Sequence, residues 1–288
     1  MLNCTRIELK VPCTKPFRIL LAGDTHLIHV DEQDDLRKQE LAVRRVRDFG
    51  PAEEVQAYWD ETIRYANENC NLFLHAGDLI DFVSHKNCAV MKESLASIRI
   101  PLLMAAGNHE FSQYVGEAKE DDAYKAQSFE QIQSAARNHL DFASLQLNGI
   151  NFIAIDNSYY LFKKRHLLQL KDECKKGFPI ILLLHNPLFS EGLHDLSRQI
   201  RKQPCTYLCG VPDEYLIAYP SARREQQTPD EPTLEMLDFL RAEPLIKGIF
   251  AGHLHYQITS TFTRDIPQIV TGGNYNGAVT ELFIRNPE

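Results

Sequence analysis

Five short motifs in this sequence carry side chains that bind metal ions. The motifs are Gly23-Asp24-Thr25-His26, Gly77-Asp78-Leu79-Ile80-Asp81, Gly107-Asn108-His109-Glu110, His185-Asn186-Pro187 and Gly252-His253-Leu254-His255. Carboxylate and imidazole ligands suit manganese, iron, zinc or nickel, and none of the motifs offers a thiolate. Taken singly, each motif is equally typical of a polar turn or a buried core residue. Together they indicate one metal site.

The elements that must position these motifs are short apolar segments typical of buried strands. The predicted strands are Phe17 to Ala22, Leu72 to Ala76, Pro101 to Ala106, Asn151 to Ile155, Ile180 to Leu184 and Ile246 to Ala251. All but the fourth of them end at one of the motifs. Ligands bind beyond the carboxyl ends of strands in open α/β sheets, so we expect the motifs to meet at one edge.

Helical spacing separates the predicted strands. It covers Ala52 to Asn69, Lys86 to Ile98, Phe129 to Arg137, Leu161 to Lys176 and Thr233 to Ala242. The last segments alternate like antiparallel strands, in Gln257 to Thr263, Gln268 to Thr271 and Val279 to Ile284. The pattern predicts an α/β core of layered sheets flanked by helices, and we expect a single domain over residues 1–288.

Two stretches fit this scheme poorly. Residues 30–50 carry charges of both signs, which favours a helical insertion after the first strand. Residues 187–232 hold six prolines and show no clear periodicity. A loop of that length in a compact domain is more typical of a lid or a substrate-binding insertion than of an idle linker.

The composition narrows the partners and the compartment. A formal net charge of −8 argues against nonspecific binding of nucleic acid, whereas bound metal ions would still attract a small phosphorylated substrate. The seven cysteines are scattered, which favours a reducing compartment over a disulfide framework. No secretion signal and no membrane span are apparent, so we expect a cytoplasmic protein. The oligomeric state has no signal in the sequence.

From Gly23 to His255 the chain resembles the calcineurin-like metallophosphoesterase superfamily, whose five sequence blocks occur here in family order. The resemblance implies a four-layer α/β/β/α sandwich, with two mixed sheets flanked by helices and a metal site at the carboxyl ends of the strands. It also implies two divalent transition-metal ions, Mn, Fe, Zn or Ni. One ion would be held by Asp24, His26 and His255, the other by Asn108, His185 and His253, and Asp78 would bridge them.

The same resemblance implies hydrolysis of phosphate esters, with phosphodiesters favoured over phosphomonoesters. Two adjacent metal ions lower the pKa of a shared water and stabilise the attacking and leaving oxygens. His109 would protonate the leaving oxygen or steady the transition state. Asp81 would orient His109, and its alternative role is a turn or helix-capping carboxylate. For Glu110 we expect packing or hydrogen bonding, and for Asp156 a structural turn more than substrate contact.

Sequence differences from two branches of the superfamily argue against two classes of phosphatase. Protein Ser/Thr phosphatases carry Arg-Gly after the second Asp of the second block, where this chain has Phe82 and Val83. Purple acid phosphatases place a metal-bound Tyr at the position of Asp81. A non-catalytic scaffold of the same fold is the main rival, and the intact ligand positions and His109 argue against it. Cleavage of nucleic acid is disfavoured by the acidic balance.

Overall fold

The computed structural model describes residues 1–116, 120–263 and 265–287. These residues form eleven strands: β1 Asn3–Lys10, β2 Phe17–Ala22, β3 Leu72–His75, β4 Leu102–Met104, β5 Phe142–Leu147, β6 Ile150–Ile155, β7 Ile180–Leu183, β8 Ile246–Ala251, β9 Ile258–Thr263, β10 Ile266–Val270 and β11 Ala278–Arg285. They also form ten α-helices: α1 Leu36–Phe49, α2 Ala52–Asn69, α3 His85–Ser97, α4 Asp122–Ala126, α5 Phe129–Ala135, α6 Lys164–Cys174, α7 Glu191–Arg201, α8 Asp213–Leu216, α9 Ser221–Gln227 and α10 Glu231–Ala242.

The first sheet has the strand order β1-β11-β2-β3-β4. Strands β2, β3 and β4 are parallel, with Ile19 opposite Leu72 and Phe73 opposite Leu102. Strand β11 runs antiparallel to β2 and parallel to β1. Every side chain of β3 is buried, as expected of a parallel strand covered on both faces. The carboxyl ends of β2, β3 and β4 therefore reach the same edge of the sheet.

The second sheet has the order β5-β6-β7-β8-β10-β9. Strands β6, β7, β8 and β10 are parallel, and β5 and β9 close the two edges in antiparallel pairing. Both sheets are mixed, as predicted. The carboxyl ends of β7 and β8 supply the remaining two motifs.

Three apolar clusters separate four layers. Between the sheets, Leu21 and Leu74 of the first sheet share a cluster with Phe152 and Leu183 of the second. A second cluster lies between the first sheet and helices α2, α3 and α5. A third lies between the second sheet and helices α6 and α10. This order confirms the predicted α/β/β/α sandwich, in which each fully buried Leu or Phe contributes about 1.5–3 kcal/mol.

The outer helices are amphipathic. Helix α2, with 18 residues, buries Val55, Trp59 and Ile63 against the sheet and turns its charged residues outward. None of the described helices combines the length and the apolar character that a membrane span requires.

Asp35 is the N-cap of helix α1, and its side chain accepts a hydrogen bond from the backbone N–H of Lys38. Such a cap stabilises a helix by about 1 kcal/mol, and it fixes the residue at which α1 begins.

The six strands predicted from apolar segments are all present, as β2, β3, β4, β6, β7 and β8. The sequence patterns do not predict β1 and β5, because both lie at sheet edges and are only partly buried. The antiparallel prediction holds for β9 against β10 and for β11 against β2. It is incomplete, because β10 also pairs in parallel with β8 and β11 with β1.

The structure agrees with the sequence prediction for one of the two poorly fitting stretches and not for the other. Helix α1 confirms the helical prediction for residues 30–50. The prediction of an irregular segment over residues 187–232 is wrong, since that stretch contains α7, α8 and α9. Pro212 and Pro220 stand at the N-caps of α8 and α9, and these two helices are only 4 and 7 residues long. Helices so short do not show a helical period.

Candidate metal centre

The five motifs converge at the carboxyl edge shared by the two sheets. Potential metal-binding atoms of the described residues form three groups, in each of which the atoms lie within 4.8 Å of one another; one of them, His26, Asp81 and His109, is a hydrogen-bonded cluster, and the other two are potential ligand groups. The first ligand group contains Asp24, His26, Asp78 and His255, and the second contains Asp78, His185 and His253. Asp78 belongs to both. The structure thus brings together the residues that the sequence singles out from five separate strand ends.

In the first group, four side chains point at one place. The Nε2 atoms of His26 and His255 lie 3.1 Å apart. Asp24 Oδ1 lies 3.6 Å from His255 Nε2, and Asp78 Oδ2 lies 3.7 Å from His26 Nε2. Two nitrogens and two carboxylate oxygens therefore surround a common point.

The second group has a similar arrangement around His185. Its Nε2 lies 3.0 Å from His253 Nδ1 and 3.3 Å from Asp78 Oδ2. Asn108 adds a neutral oxygen, because its Oδ1 lies 3.2 Å from His185 Nε2. Asn108 therefore adds an oxygen donor beside the second group.

The outer ring nitrogens of three histidines contact protein groups, which fixes the direction of the inner nitrogens. His26 Nδ1 lies 3.0 Å from Asp81 Oδ1, and His185 Nδ1 donates to the carbonyl oxygen of Ala76 at 2.8 Å. His253 Nε2 lies 2.8 Å from Tyr160 Oη. Protein partners of this kind hold metal-binding imidazoles in one orientation and one tautomer.

The donor set fits divalent transition-metal ions. A neutral imidazole that donates through one nitrogen has only a lone pair on the other. His185 donates through Nδ1 to Ala76, so in its neutral form its Nε2 brings a lone pair towards His253 and Asp78. Although burial opposes the change, the negative charges of Asp78 and Asp24 raise the pKa of His185 to about 9. Either a proton or a metal cation therefore relieves the repulsion between these lone pairs and carboxylate oxygens. Imidazole, carboxylate and amide donors without thiolate suit Mn, Fe, Zn or Ni.

The buried carboxylates and imidazoles perturb one another. Burial raises the pKa of Asp24 to about 8, and the neighbouring Asp78 adds to that rise. Burial also lowers the pKa values of His253 and His255 well below their usual range. These two imidazoles are therefore neutral, which is the form that binds metal ions. Divalent cations beside Asp24 would oppose the rise of its pKa.

His109 lies beside the ligand groups and faces Asp81. Its backbone N–H donates to Asp78 Oδ1 at 2.9 Å, and its Nδ1 lies 2.6 Å from the carbonyl oxygen of Asp81. Although burial opposes the change, the negative charges of Asp78 and Asp81 raise the pKa of His109 to about 10. Its Nδ1–H therefore donates to Asp81, and its Nε2 is not engaged by that contact.

Asp81 is a hydrogen-bond acceptor shared by three side chains. Its Oδ1 lies 3.0 Å from His26 Nδ1 and 3.1 Å from His109 Nδ1. Arg45 donates to both oxygens, at 2.6 Å from Nε and 2.9 Å from Nη2. The Asp81 carboxylate is fully buried, yet His109, His26 and Arg45 hold its pKa well below the usual range. Because both oxygens are engaged, Asp81 orients the two histidines, and the capping of α3 falls to Ser84.

Sequence reasoning missed two side chains of α1. Arg45 pairs with Asp81, and Phe49 stacks on His26 with ring centroids 4.1 Å apart and planes at 10°. The Arg45 guanidinium lies 4.7 Å from the centroid of the Phe49 ring. The only feature of the sequence that pointed to this region was the charged character of residues 30–50. That feature does not distinguish Arg45 from the other arginines of α1.

The glycines that open the motifs allow neighbouring loops to approach closely. A Cβ on Gly107 would lie 2.1 Å from Asp78 Oδ1, and one on Gly252 would lie 2.8 Å from Asp24 Oδ2. Glu110 joins the same loops, because its buried carboxylate accepts hydrogen bonds from the backbone N–H groups of Gly107 and Asp78 at 2.7 and 2.8 Å. The prediction of hydrogen bonding for Glu110 is confirmed.

Backbone conformation is unusual at the motif residues. Five of them that are not glycine have a positive φ: Asp24 at 53°, His26 at 51°, Asp78 at 55°, His253 at 70° and His255 at 64°. Residues other than glycine adopt this left-handed region rarely and at a cost in conformational energy. Strain of this kind clusters at functional sites, where the surrounding structure enforces it.

The structure also shows the surroundings of Asp156, His75 and Tyr275. Asp156 accepts hydrogen bonds from the backbone and side chain of Ser158 and pairs with Lys125 at 2.5 Å, as expected of a structural turn. His75 is fully buried beside Thr25. The backbone N–H of Tyr275, which follows a glycine-rich turn, donates to the carbonyl oxygen of Asp24 at 3.2 Å.

Comparison with known proteins places this geometry in a family. The model of the calcineurin-like phosphoesterase family matches residues 17–257. A purple acid phosphatase from yellow lupin (Lupinus luteus) seeds is similar in structure, with 13% identity, a TM-score of 0.50 and 91% of this chain covered. The match covers 44% of the lupin chain, so this chain corresponds to less than half of that enzyme.

A dimetal phosphatase from Danio rerio is also similar, with 13% identity, a TM-score of 0.48 and coverage of 92% of this chain and 91% of that one. No curated protein matches the sequence. At these identities the structural likeness concerns the fold, and the family match carries the functional information.

Proposed function

The chain belongs to the calcineurin-like phosphoesterase family, and we propose that it hydrolyses phosphodiesters with two divalent transition-metal ions. Membership of this family supports metal-dependent hydrolysis of phosphate esters. One observation carries the proposal of a two-metal site. Asp78 Oδ2 lies 3.7 Å from His26 Nε2 and 3.3 Å from His185 Nε2, so a single carboxylate serves both ligand groups.

The proposed ligands follow from the two groups. Asp24, His26 and His255 would hold one metal ion, Asn108, His185 and His253 the other, and Asp78 both. When bound, such a pair of ions lowers the pKa of a water and stabilises the attacking and leaving oxygens of an in-line displacement. Two carboxylates against two divalent ions leave the site positive, so it attracts a phosphate although the whole chain carries a net charge of −8.

The protein's own groups would supply the proton for the leaving oxygen. Asp81 holds His109 by Nδ1, and the backbone of His109 is tied to Asp78. Its Nε2–H is then available to protonate the leaving alkoxide, a contribution of about 10²–10⁴-fold for a positioned general acid. Arg45 keeps Asp81 ionised and in place.

The preference for diesters rests on what the second motif lacks. Phe82 and Val83 are buried, so that position offers no guanidinium to a phosphate. A diester carries a single negative charge at phosphorus and needs fewer cationic contacts than a monoester dianion. The cytoplasmic location and the small phosphorylated substrate stay predictions.

The experiment that tests this function compares bis-p-nitrophenyl phosphate with p-nitrophenyl phosphate, with added Mn²⁺ and with chelator. We expect turnover of the diester, and its abolition by chelator. A preference for the monoester would instead identify a phosphomonoesterase. No turnover of either compound, in protein shown to contain two metal ions, would contradict the proposed function and favour a binding scaffold.

A further inference from the structure

Two arginines from residues 187–232 lie over one tyrosine beside the second ligand group. The guanidinium carbon of Arg201 lies 4.4 Å from the centroid of the Tyr207 ring, and that of Arg223 lies 5.2 Å from it. The Tyr207 ring is in turn 6.0 Å from the ring of His253, between centroids. Two positive charges are therefore held one aromatic ring away from His253.

Neither arginine forms a salt bridge with a described residue. Nε of Arg201 is buried and has no hydrogen-bond partner among the described residues. Arg223 donates from Nη1 to the side-chain oxygen of Gln226 at 2.7 Å, which is a neutral partner. Most buried polar groups in proteins are hydrogen-bonded, so an unpaired buried guanidinium N–H calls for a ligand.

One carboxylate lies in the same region without neutralising the pair. Glu120 Oε1 lies 3.4 Å from Asn108 Nδ2, and its Oε2 contacts Gln226. The region beside the second ligand group thus holds two guanidinium groups and one carboxylate, which leaves an excess of positive charge.

The backbone is left-handed at two residues near these side chains. Helix α7 ends at Arg201, and the next residue, Lys202, has a left-handed φ of 54°. Tyr207 has a φ of 58°. The Tyr207 ring contacts Arg201 at the end of α7, Arg223 of α9 and His253.

We infer that Arg201 and Arg223 bind a second anionic group of the substrate, a phosphate or a carboxylate, distinct from the phosphate that is hydrolysed. Guanidinium groups are suited to both anions because their planar donors match two oxygens at once. The substrate class is then a phosphate ester whose organic part carries another negative charge. This inference rests on the proposed function, since it takes the metal centre as the place of the reacting phosphate.

The test measures binding with phosphonates, whose P–C bond is not hydrolysed. Calorimetric titration of the metal-loaded protein compares propylphosphonate with 3-phosphonopropionate and with propane-1,3-bisphosphonate. We expect the second anion to tighten binding by about tenfold or more, equivalent to at least 1.4 kcal/mol. The carboxylate and the bisphosphonate then show which anion the arginines prefer.

Three variants locate the effect. Arg201→Met and Arg223→Met should each remove most of the gain from the second anion while leaving the affinity for propylphosphonate unchanged. Arg224→Met is the matched control, because it removes the same charge from an exposed neighbour on α9. It should keep the gain.

The possible failures are distinguishable. A wild-type protein that binds propylphosphonate with no gain from a second anion would overturn this inference alone. Equal losses in Arg224→Met and Arg223→Met would also overturn it, because they would reflect net charge and not a subsite. Absence of propylphosphonate binding together with absence of aryl ester hydrolysis would overturn the proposed function itself.

Discussion

Both ligand groups have aromatic and charged neighbours, but their arrangement differs. The group formed by Asp24, His26 and His255 packs against the rings of Phe49 and Tyr275, whereas the group formed by Asn108, His185 and His253 adjoins the arginines of residues 187–232. Phe49 stacks on His26, and Tyr275 lies 5.5 Å from His255 between ring centroids. On the other side, Tyr207 and its two arginines adjoin His253, and Glu120 adjoins Asn108. We refer to these as the aromatic half and the polar half of the centre.

The difference predicts where a substrate would bind. The aromatic half contains a carboxylate that the polar half does not share, Asp24, and its His26 is fully buried. The unshared donors of the polar half are all neutral, so a metal ion there keeps more of its charge and attracts the ester more strongly. The organic part of the substrate should therefore extend over the polar half, towards residues 187–232.

The largest effect is expected at the residue that both halves share. Asp78→Asn should lose both metal ions and nearly all hydrolysis, because the bridging carboxylate offsets the repulsion between the ions. Metal analysis after dialysis and the diester assay measure it, with Asp156→Asn as a buried-carboxylate control. Full activity with normal metal content would remove Asp78 from its bridging role.

His109→Ala should separate chemistry from metal binding. We expect both ions to stay bound and turnover to fall by about 10²–10⁴-fold, because the proton donor is lost. The loss should be largest for esters with poor leaving groups, which need a proton most. An unchanged rate with an alkyl leaving group would exclude His109 as the acid.

Tyr160→Phe should weaken the polar half alone. The substitution removes the hydroxyl that lies 2.8 Å from His253 Nε2, and loss of such a partner typically lowers metal affinity by about 10–100-fold. A metal titration should then show one weakened and one unchanged site. Tyr159→Phe is the control, because the buried hydroxyl of Tyr159 has no hydrogen-bond partner among the described residues. Equal weakening of both sites would refute the separation of the halves.

The smallest effect is expected in the aromatic half. Phe49→Leu removes the ring stacked on His26, a contact worth about 0.5–1.5 kcal/mol beyond the buried area. We expect a modest loss in the free energy of unfolding, measured by urea titration, and a small change in turnover. A loss of metal as large as that in Tyr160→Phe would mean that Phe49 positions His26 as strictly as Tyr160 positions His253.

How far the sequence predicts this centre depends on the kind of residue. The ligands Asp24, Asp78 and Asn108 follow predicted strands directly, and strand order brings their ends together. Phe49 and Tyr160 reach the centre from elsewhere in the chain, Tyr160 across 93 residues to His253. Such contacts depend on how helices and loops pack, which local periodicity does not encode.

The same limit applies to how much of the fold the sequence predicts. Strands β2 and β3 are continuous apolar segments and were predictable, whereas β1 is an edge strand with alternating exposure. Helix α1 was predictable as a helix, but not as the element that supplies Arg45 to Asp81. Nor could the pairing of Arg201 and Arg223 on Tyr207 be read from a stretch interrupted by prolines.

The left-handed backbone of Asp24, His26, Asp78, His253 and His255 has a consequence for variation at these positions. Each such residue costs about 1–3 kcal/mol of conformational energy, which the rest of the fold must offset. Glycine adopts the same backbone without that cost. A mutational scan that measures cellular abundance should therefore penalise glycine less than alanine at these five positions, whereas a scan that measures catalysis should reject both. The divergence of the two scans would map the strained positions without any structure.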